Sequence, residues 1–388
     1  MNEIITARDG EERELLRLLD RVFYHNPIAP HFAWMLPRLY RPEYHPCPNN
    51  LVVRDPQDTN KFRAAVGLYF MELSAGEEKL IAAGLGNVAV DKKYRSEGYM
   101  KLLMNQANEF ARERGADFVV LNGLRHRYQY FGFERAGSAF DFKITETSLR
   151  HSLRGKNIMP VTVEKLRQDD HESLAAIHAL AQESQWHCVR ANNPRAIWDH
   201  LRSWYAVPYV LRHGGKFAGY FIYARVGFRI EELRLVDPEL IYSALPAMVA
   251  AITGGVRIRV LPTDYAQAAA LDPLCENRCI RYTNCFHVLN FANVLQALLR
   301  LKARNVPLCE GELALRIDAW FGPQNLRIAV HSGEISVTPT ENEPMLTLGH
   351  LSATRCFFAP QAPERAKLPA FAAAWFPLMF DMPYMDTV

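Results

Sequence analysis

Three stretches of this chain hold residues whose types and spacing could do chemistry. Arg95-Ser96-Glu97-Gly98-Tyr99-Met100-Lys101 places an arginine three positions before a glycine. A guanidinium offers planar, delocalised charge that suits phosphate oxygens. A glycine removes a Cβ where the backbone must approach an anion closely. Lys92, Lys93 and Lys101 make the neighbourhood basic, and Glu97 opposes them. Arg125-His126-Arg127-Tyr128-Gln129-Tyr130-Phe131-Gly132-Phe133 brings two phenols close together. Cys275, Cys279, Cys285 and His287 form the one cluster of metal-type residues. Its spacing is not a common zinc pattern, so these are read as ordinary part-buried residues and no metal is expected.

The elements that must position these residues are legible around the first stretch. Val88-Ala89-Val90 is an apolar run of strand character that breaks at Asp91-Lys92-Lys93-Tyr94. Tyr99, Leu102, Leu103, Ala107, Phe110 and Ala111 then share one face of a helix spanning 98–112, stopped at Gly115. Strand, loop and helix start together make a phosphate site, because a helix N-terminus carries free N–H groups and partial positive charge. Strands are expected at 3–7, 51–54, 64–73, 80–90 and 117–121, with a helix at 11–23. The fold class is therefore mixed α/β.

Arg95-x-x-Gly98-x-Met100 after a strand resembles the acetyl-CoA signature of the GCN5-related N-acetyltransferases (GNAT), R/Q-x-x-G-x-G/A. Met100 departs from the family's Gly or Ala. In that fold two central strands, here 84–90 and 117–122, splay apart to admit the pantetheine arm. The resemblance assigns acetyl-CoA contacts to Val88, Ala89, Val90, Arg95, Ser96, Glu97, Gly98, Tyr99, Met100, Lys101, Asn122 and Gly123. The segment ending in Phe131-Gly132-Phe133 resembles the second GNAT motif, whose acid tyrosine falls at Tyr128. A phenol (pKa ~10) can protonate a departing thiolate (reference pKa ~8.5) within hydrogen-bond reach. Tyr130 is the rival, and His126 reads as an exposed helix residue.

Composition limits the other possibilities. The 388 residues suggest two or three domains, and a net charge of +3 points to neither nucleic acid nor a membrane surface. No apolar run reaches the ~18 to 20 residues of a membrane span, and no signal-type segment opens the chain, so a cytoplasmic protein with free thiols is expected.

Further along, a Pro- and aromatic-rich segment (Pro27, Pro30, Phe32, Trp34, Pro37, Tyr40, Pro42, Tyr44, Pro46) cannot form one regular helix. It reads equally as the wall of a substrate pocket and as a surface loop with buried aromatic anchors. Phe140–Ile144 reads as the strand closing a first unit (1–148), and 145–160 as a linker. The order strand, helix, aromatic segment, hairpin, strand, helix then recurs over 158–291. There Asp237-Pro238-Glu239 replaces the phosphate loop, and two carboxylates at a helix start repel phosphate. That unit reads as a degenerate repeat without CoA. The final unit, 292–388, alternates apolar and polar residues in strands at 311–317, 325–330 and 335–339, with helices at 294–301 and 351–358. It resembles a sterol-carrier-like α+β domain with a filled core.

Tandem GNAT folds followed by a sterol-carrier-like domain resemble the Eis (enhanced intracellular survival) acetyltransferases. That resemblance implies direct acetyl transfer to an amine, aminoglycoside- or polyamine-like among others, and a homo-oligomer such as a hexamer. It also implies that the terminal carboxylate, here on Val388, reaches the first unit's site as the base. Val388 departs from the family's aromatic final residues, and Asp386 is the alternative base. Two other readings are a lipid carrier working through the last unit and a CoA-binding regulator without turnover.

Overall fold

The computed structural model describes residues 4–23, 31–225, 227–252 and 255–388. Pro27 and Pro30 of the aromatic-rich segment, and residue 3 of the first expected strand, lie outside them. Three sheets organise the described chain. The first runs in the order Ile4–Thr6, Asn50–Asp55, Asp58–Ala75, Glu78–Val90, Phe118–Leu121, Cys285–Val288, Glu134–Arg135, with Trp186–Cys188 paired to Asp58–Ala75. The second runs Asn277–Tyr282, Ser138–Thr145, Gly255–Val260, Arg229–Leu235, Lys216–Ala224, Val207–His213, Val161–Lys165. The third has four strands, Glu334–Pro339, Gly322–His331, Gly311–Ala319 and Leu346–Gly349.

Each of the first two sheets contains a parallel pair joined by a helical crossover, so the repeated order seen in the sequence is repeated in space. Tyr99–Glu113 connects Glu78–Val90 to Phe118–Leu121, and Ile241–Ala251 connects Arg229–Leu235 to Gly255–Val260. The two sheets also exchange strands. Ser138–Thr145, expected to close the first unit, lies instead in the second sheet between Gly255–Val260 and Asn277–Tyr282. Cys285–Val288 comes back to the first sheet between Phe118–Leu121 and Glu134–Arg135. Cys285–Val288 is buried on both faces, which suits a central position, whereas Ser138–Thr145 is apolar on the Phe140, Phe142 and Ile144 face and carries Asp141 and Lys143 on the other. The expected linker holds a helix, Glu146–Ser152, started by a capping box between Thr145 and Ser148.

The third sheet packs against Phe291–Ala303, His350–Phe358 and Ala370–Trp375. Its interior is filled by Phe357, Phe358, Trp375 and Phe380, all fully buried. All seven cysteines are free. Among the described residues, no helix is long and apolar enough to cross a membrane.

The last residues leave this third unit and cross the other two. Arg259 pairs with Asp381 and donates to the Met382 carbonyl at 3.1 Å. Arg190 bridges Asp386 at 2.9 Å and Glu232 at 3.0 Å. Arg38 donates to the carbonyls of Met385 at 3.0 Å and Thr387 at 2.6 Å. Burial pushes the Glu232 carboxyl up, but Arg190 outweighs it and holds it at about 2. A carboxyl lowered from 4.5 contributes stability that is full above pH 4.5 and lost as the pH falls toward 2. Arg190→Ala leaves two buried carboxylates without their cation, which costs about 3–5 kcal/mol. Thermal and urea unfolding at pH 7 check this loss, and Arg190→Lys recovers part of it.

Candidate active site

The Glu78–Val90 and Phe118–Leu121 strands pair at Ala82↔Phe118, Ala83↔Val119 and Gly84↔Val120, and there the ladder stops. A bulge in Glu78–Val90 lies just beyond. Ala65 faces Ala89 while Gly67 faces Gly86, so two residues stand opposite one. Asn87 takes the left-handed φ of 44° that the bulge requires. Its side chain is fixed on both sides: Tyr40 Oη donates to Asn87 Oδ1 at 2.7 Å, and Asn87 Nδ2 donates to Asn50 Oδ1 at 3.0 Å. The Leu85–Val90 backbone therefore has no strand partner on the Phe118–Leu121 side among the described pairings.

Two cavities open at this break, and Val88 and Arg127 line both. The outer one, about 470 Å³, is bounded by Val90, Arg95, Ser96, Gly98, Tyr99 and Met100. Ser96 and Gly98 are both left-handed, at φ 71° and 82°. Nothing lies within 4 Å of where a Gly98 Cβ would stand, so the backbone at the helix start faces open space. Arg95 is exposed beside it. Glu97, the opposing charge, sits 3.8 Å from Arg63 and is countered there. Left-handed backbone of this kind, at a helix N-terminus with an exposed guanidinium, is a cradle for phosphate.

The inner cavity, about 390 Å³, holds Asn122, Tyr128 and Val388. Tyr128 ends the short helix Arg125–Tyr128 and is half-buried. Burial pushes its phenol above the ordinary 10, and Arg127 pulls it back in part. It therefore remains a proton donor at neutral pH. Tyr130, the other phenol, is 75% exposed and lines neither cavity. The motif is braced by the third unit. Arg125 and Arg355 both bind the buried Glu134, at 2.8 Å and 2.6 Å, and His350 Nε2–H donates to the Gly132 carbonyl at 3.0 Å.

Val388 lies on the Glu78–Val90 strand. A Cβ on Gly84 would fall 2.5 Å from Val388 Cγ2, and one on Gly86 would fall 2.9 Å from the Val388 carboxyl carbon. The two missing side chains are the slot. Asp386 faces Arg190 and lines a different cavity, so it does not share this place.

Several residues expected at the cofactor stand apart from the cavities. Ala89 is fully buried in the core with Tyr40 and Tyr69, and Lys101 is exposed. Gly123 lies under the Tyr128 ring, where a Cβ would meet Cε2 at 2.2 Å. The aromatic-rich segment walls the inner cavity with Phe32, Met35, Leu36 and Tyr40, while Trp34 is exposed. Residues not singled out in the sequence also take part: Gly84, Gly86, Arg38, Arg127 and Trp204. Gly84-Leu85-Gly86 inside an apolar strand is the signal that could have found the slot, since such glycines mark a close approach. Among the described residues, no group of three or more His, Cys, Asp or Glu could hold a metal.

Residues 3–136 match the model of a family described as an acetyltransferase (GNAT) domain. This chain carries a GNAT acetyltransferase domain. No curated protein matches the sequence. Solved structures share the fold over its whole length. A GCN5-related N-acetyltransferase from Anabaena variabilis has a TM-score of 0.67 at 18% identity, covering 98% of this chain and 97% of that one. One from Kribbella flavida gives 0.67 at 19%, covering 100% and 98%. Eis1 from Mycobacterium abscessus gives 0.66 at 14%, covering 100% of both. The break in the sheet and the residues lining both cavities fall within the matched residues 3–136, apart from Trp204 and Val388 of the inner cavity.

Gly123→Ala forces the Tyr128 ring aside. The expected outcome is a loss of about 1–3 kcal/mol from overpacking, with the ring displaced in a crystal structure of the variant. Urea unfolding measures the first and diffraction the second.

Proposed function

We propose that this protein is an N-acetyltransferase that moves an acetyl group from acetyl-CoA to a primary amine by direct transfer. One observation carries the reading: a single break in the sheet opens toward a phosphate-type cradle at one end and a protonated, half-buried phenol at the other. The residues present fit acetyl-CoA. Ser96, Gly98 and Arg95 suit its phosphates, and the unpaired backbone at Val88 and Val90 suits the amides of its pantetheine arm. When bound, it supplies an activated acetyl thioester.

The chain's own residues then divide the proton work. Val388 takes a proton from the acceptor ammonium through its carboxylate, directly or through water. Its carboxyl carbon stands against Gly86 at the wall of the inner cavity. The freed amine nitrogen forms the new bond to the acetyl carbon as the carbon–sulfur bond breaks. Backbone N–H near Val88 draws charge from the carbonyl oxygen. Tyr128 returns a proton to the departing sulfur, so the products are an amide and a neutral thiol. In this reading the second unit binds no CoA, and the last unit, sterol-carrier-like in outline, carries the tail. A soluble homo-oligomer in the cytoplasm accompanies the reading.

Calorimetric titration of acetyl-CoA into wild type and Gly98→Asp tests the cradle. Binding in wild type falls at least about a hundredfold in the variant, because a carboxylate replaces open space beside the phosphates. Absence of binding in wild type defeats the proposal. Tyr128→Phe lowers kcat about 10²-fold or more with acetyl-CoA affinity unchanged, and steady-state thiol release reads the result. An unchanged kcat removes Tyr128 from the acid role.

A further inference from the structure

The inner cavity also says what kind of amine it accepts, and this inference rests on the acetyl-transfer reading above. Among the described residues that line it, no Asp or Glu side chain is present. Residues 24–30, between Phe23 and His31, contain no Asp or Glu in sequence either. Asp20, beside this wall, is engaged by the Phe32 N–H at 3.1 Å and by His31 at 3.4 Å. The polar groups of Tyr40 and Asn87 are used by each other and by Asn50. Arg127, on the rim, is a cation with no carboxylate partner among the described residues.

Apart from Asn122, Tyr128 and the terminus at Val388, the remaining wall is apolar and aromatic. Phe23 and Phe32 stand 5.4 Å apart, Phe32 and Tyr40 5.2 Å apart, and Trp204 closes the wall from the second unit. One ammonium entering this space loses its proton on the way to attack. The terminal carboxylate of Val388 serves that one ammonium; a second or third meets no Asp or Glu side chain among the described lining residues, and Arg127 repels it. Burying an unpaired charge is strongly unfavourable, whereas aromatic and branched aliphatic surface is welcomed here.

We infer that the acceptor is a primary monoamine with an aromatic or bulky aliphatic body, and that polycationic amines are poor acceptors. The probes are 2-phenylethylamine and hexylamine against spermidine and kanamycin, in acetyl-CoA-dependent thiol release with matched ionic strength. The expected result is a kcat/KM at least roughly a hundredfold higher for the monoamines, since discrimination rests on leaving a charge unpaired. Met35→Glu adds a carboxylate to a half-buried position in the wall. It narrows the ratio by about tenfold or more, while the isosteric Met35→Gln does not.

Thiol release that favours spermidine or kanamycin overturns the inference and leaves acetyl transfer standing. If no amine releases thiol, titration of 2-phenylethylamine and spermidine into the CoA-loaded protein decides. Selective binding of 2-phenylethylamine supports the monoamine pocket while defeating transfer. Tighter binding of spermidine, or no binding of either, overturns the inference.

Discussion

A parallel ladder that stops after three residue pairs is the constraint on which the rest depends. Phe118–Leu121 ends one residue beyond the ladder while Glu78–Val90 runs on, and every unpaired buried amide is costly. Here the Glu78–Val90 strand bulges at Asn87 and is held in that shape by Tyr40 and Asn50. The backbone it releases is the feature that an extended, amide-bearing ligand can use. Everything else is arranged around that gap: a cradle at one end, Tyr128 at the other, and the aromatic segment as its wall.

The second sheet shows what the same architecture becomes when the gap is closed. Its parallel pair registers only at Arg229↔Arg257 and Ile230↔Ile258. The space beyond holds Pro383 and Tyr384 of the tail, and about 20 Å³ remains there. Arg259 and Arg190 hold Asp381 and Asp386 where the first sheet presents open cavities. The tail thereby ties the three units together and brings Val388 onto Gly84 and Gly86. A residue far away in sequence becomes a wall of the first unit's cavity through buried ion pairs, whose partners a local reading of the sequence does not reveal.

What was legible in the sequence was local. The helix Tyr99–Glu113, its glycine start and the flanking strands follow from apolar periodicity and loop chemistry. Both phenols were visible and the motif position pointed to Tyr128; the structure adds that Tyr128 is half-buried in the inner cavity while Tyr130 is exposed. The strand exchange was not visible, since the apolar residues of Ser138–Thr145 and Cys285–Val288 can be buried in either sheet. The family resemblance assigned Gly123 to the cofactor. The reason for this glycine is steric, because the Tyr128 ring occupies the place of its Cβ. The charge of the acceptor wall depends on which residues converge from two units, and that convergence is set by tertiary packing.

The central claim is that acyl-CoA occupies the break in the first sheet. Amide hydrogen exchange with and without saturating acetyl-CoA tests it most directly, because the claim names the backbone involved. The account predicts exchange slowed by about tenfold or more across 85–90 and 95–101, with 229–235 of the second sheet unchanged. Saturable binding that leaves 85–90 and 95–101 unchanged, or that protects the second sheet instead, would contradict it.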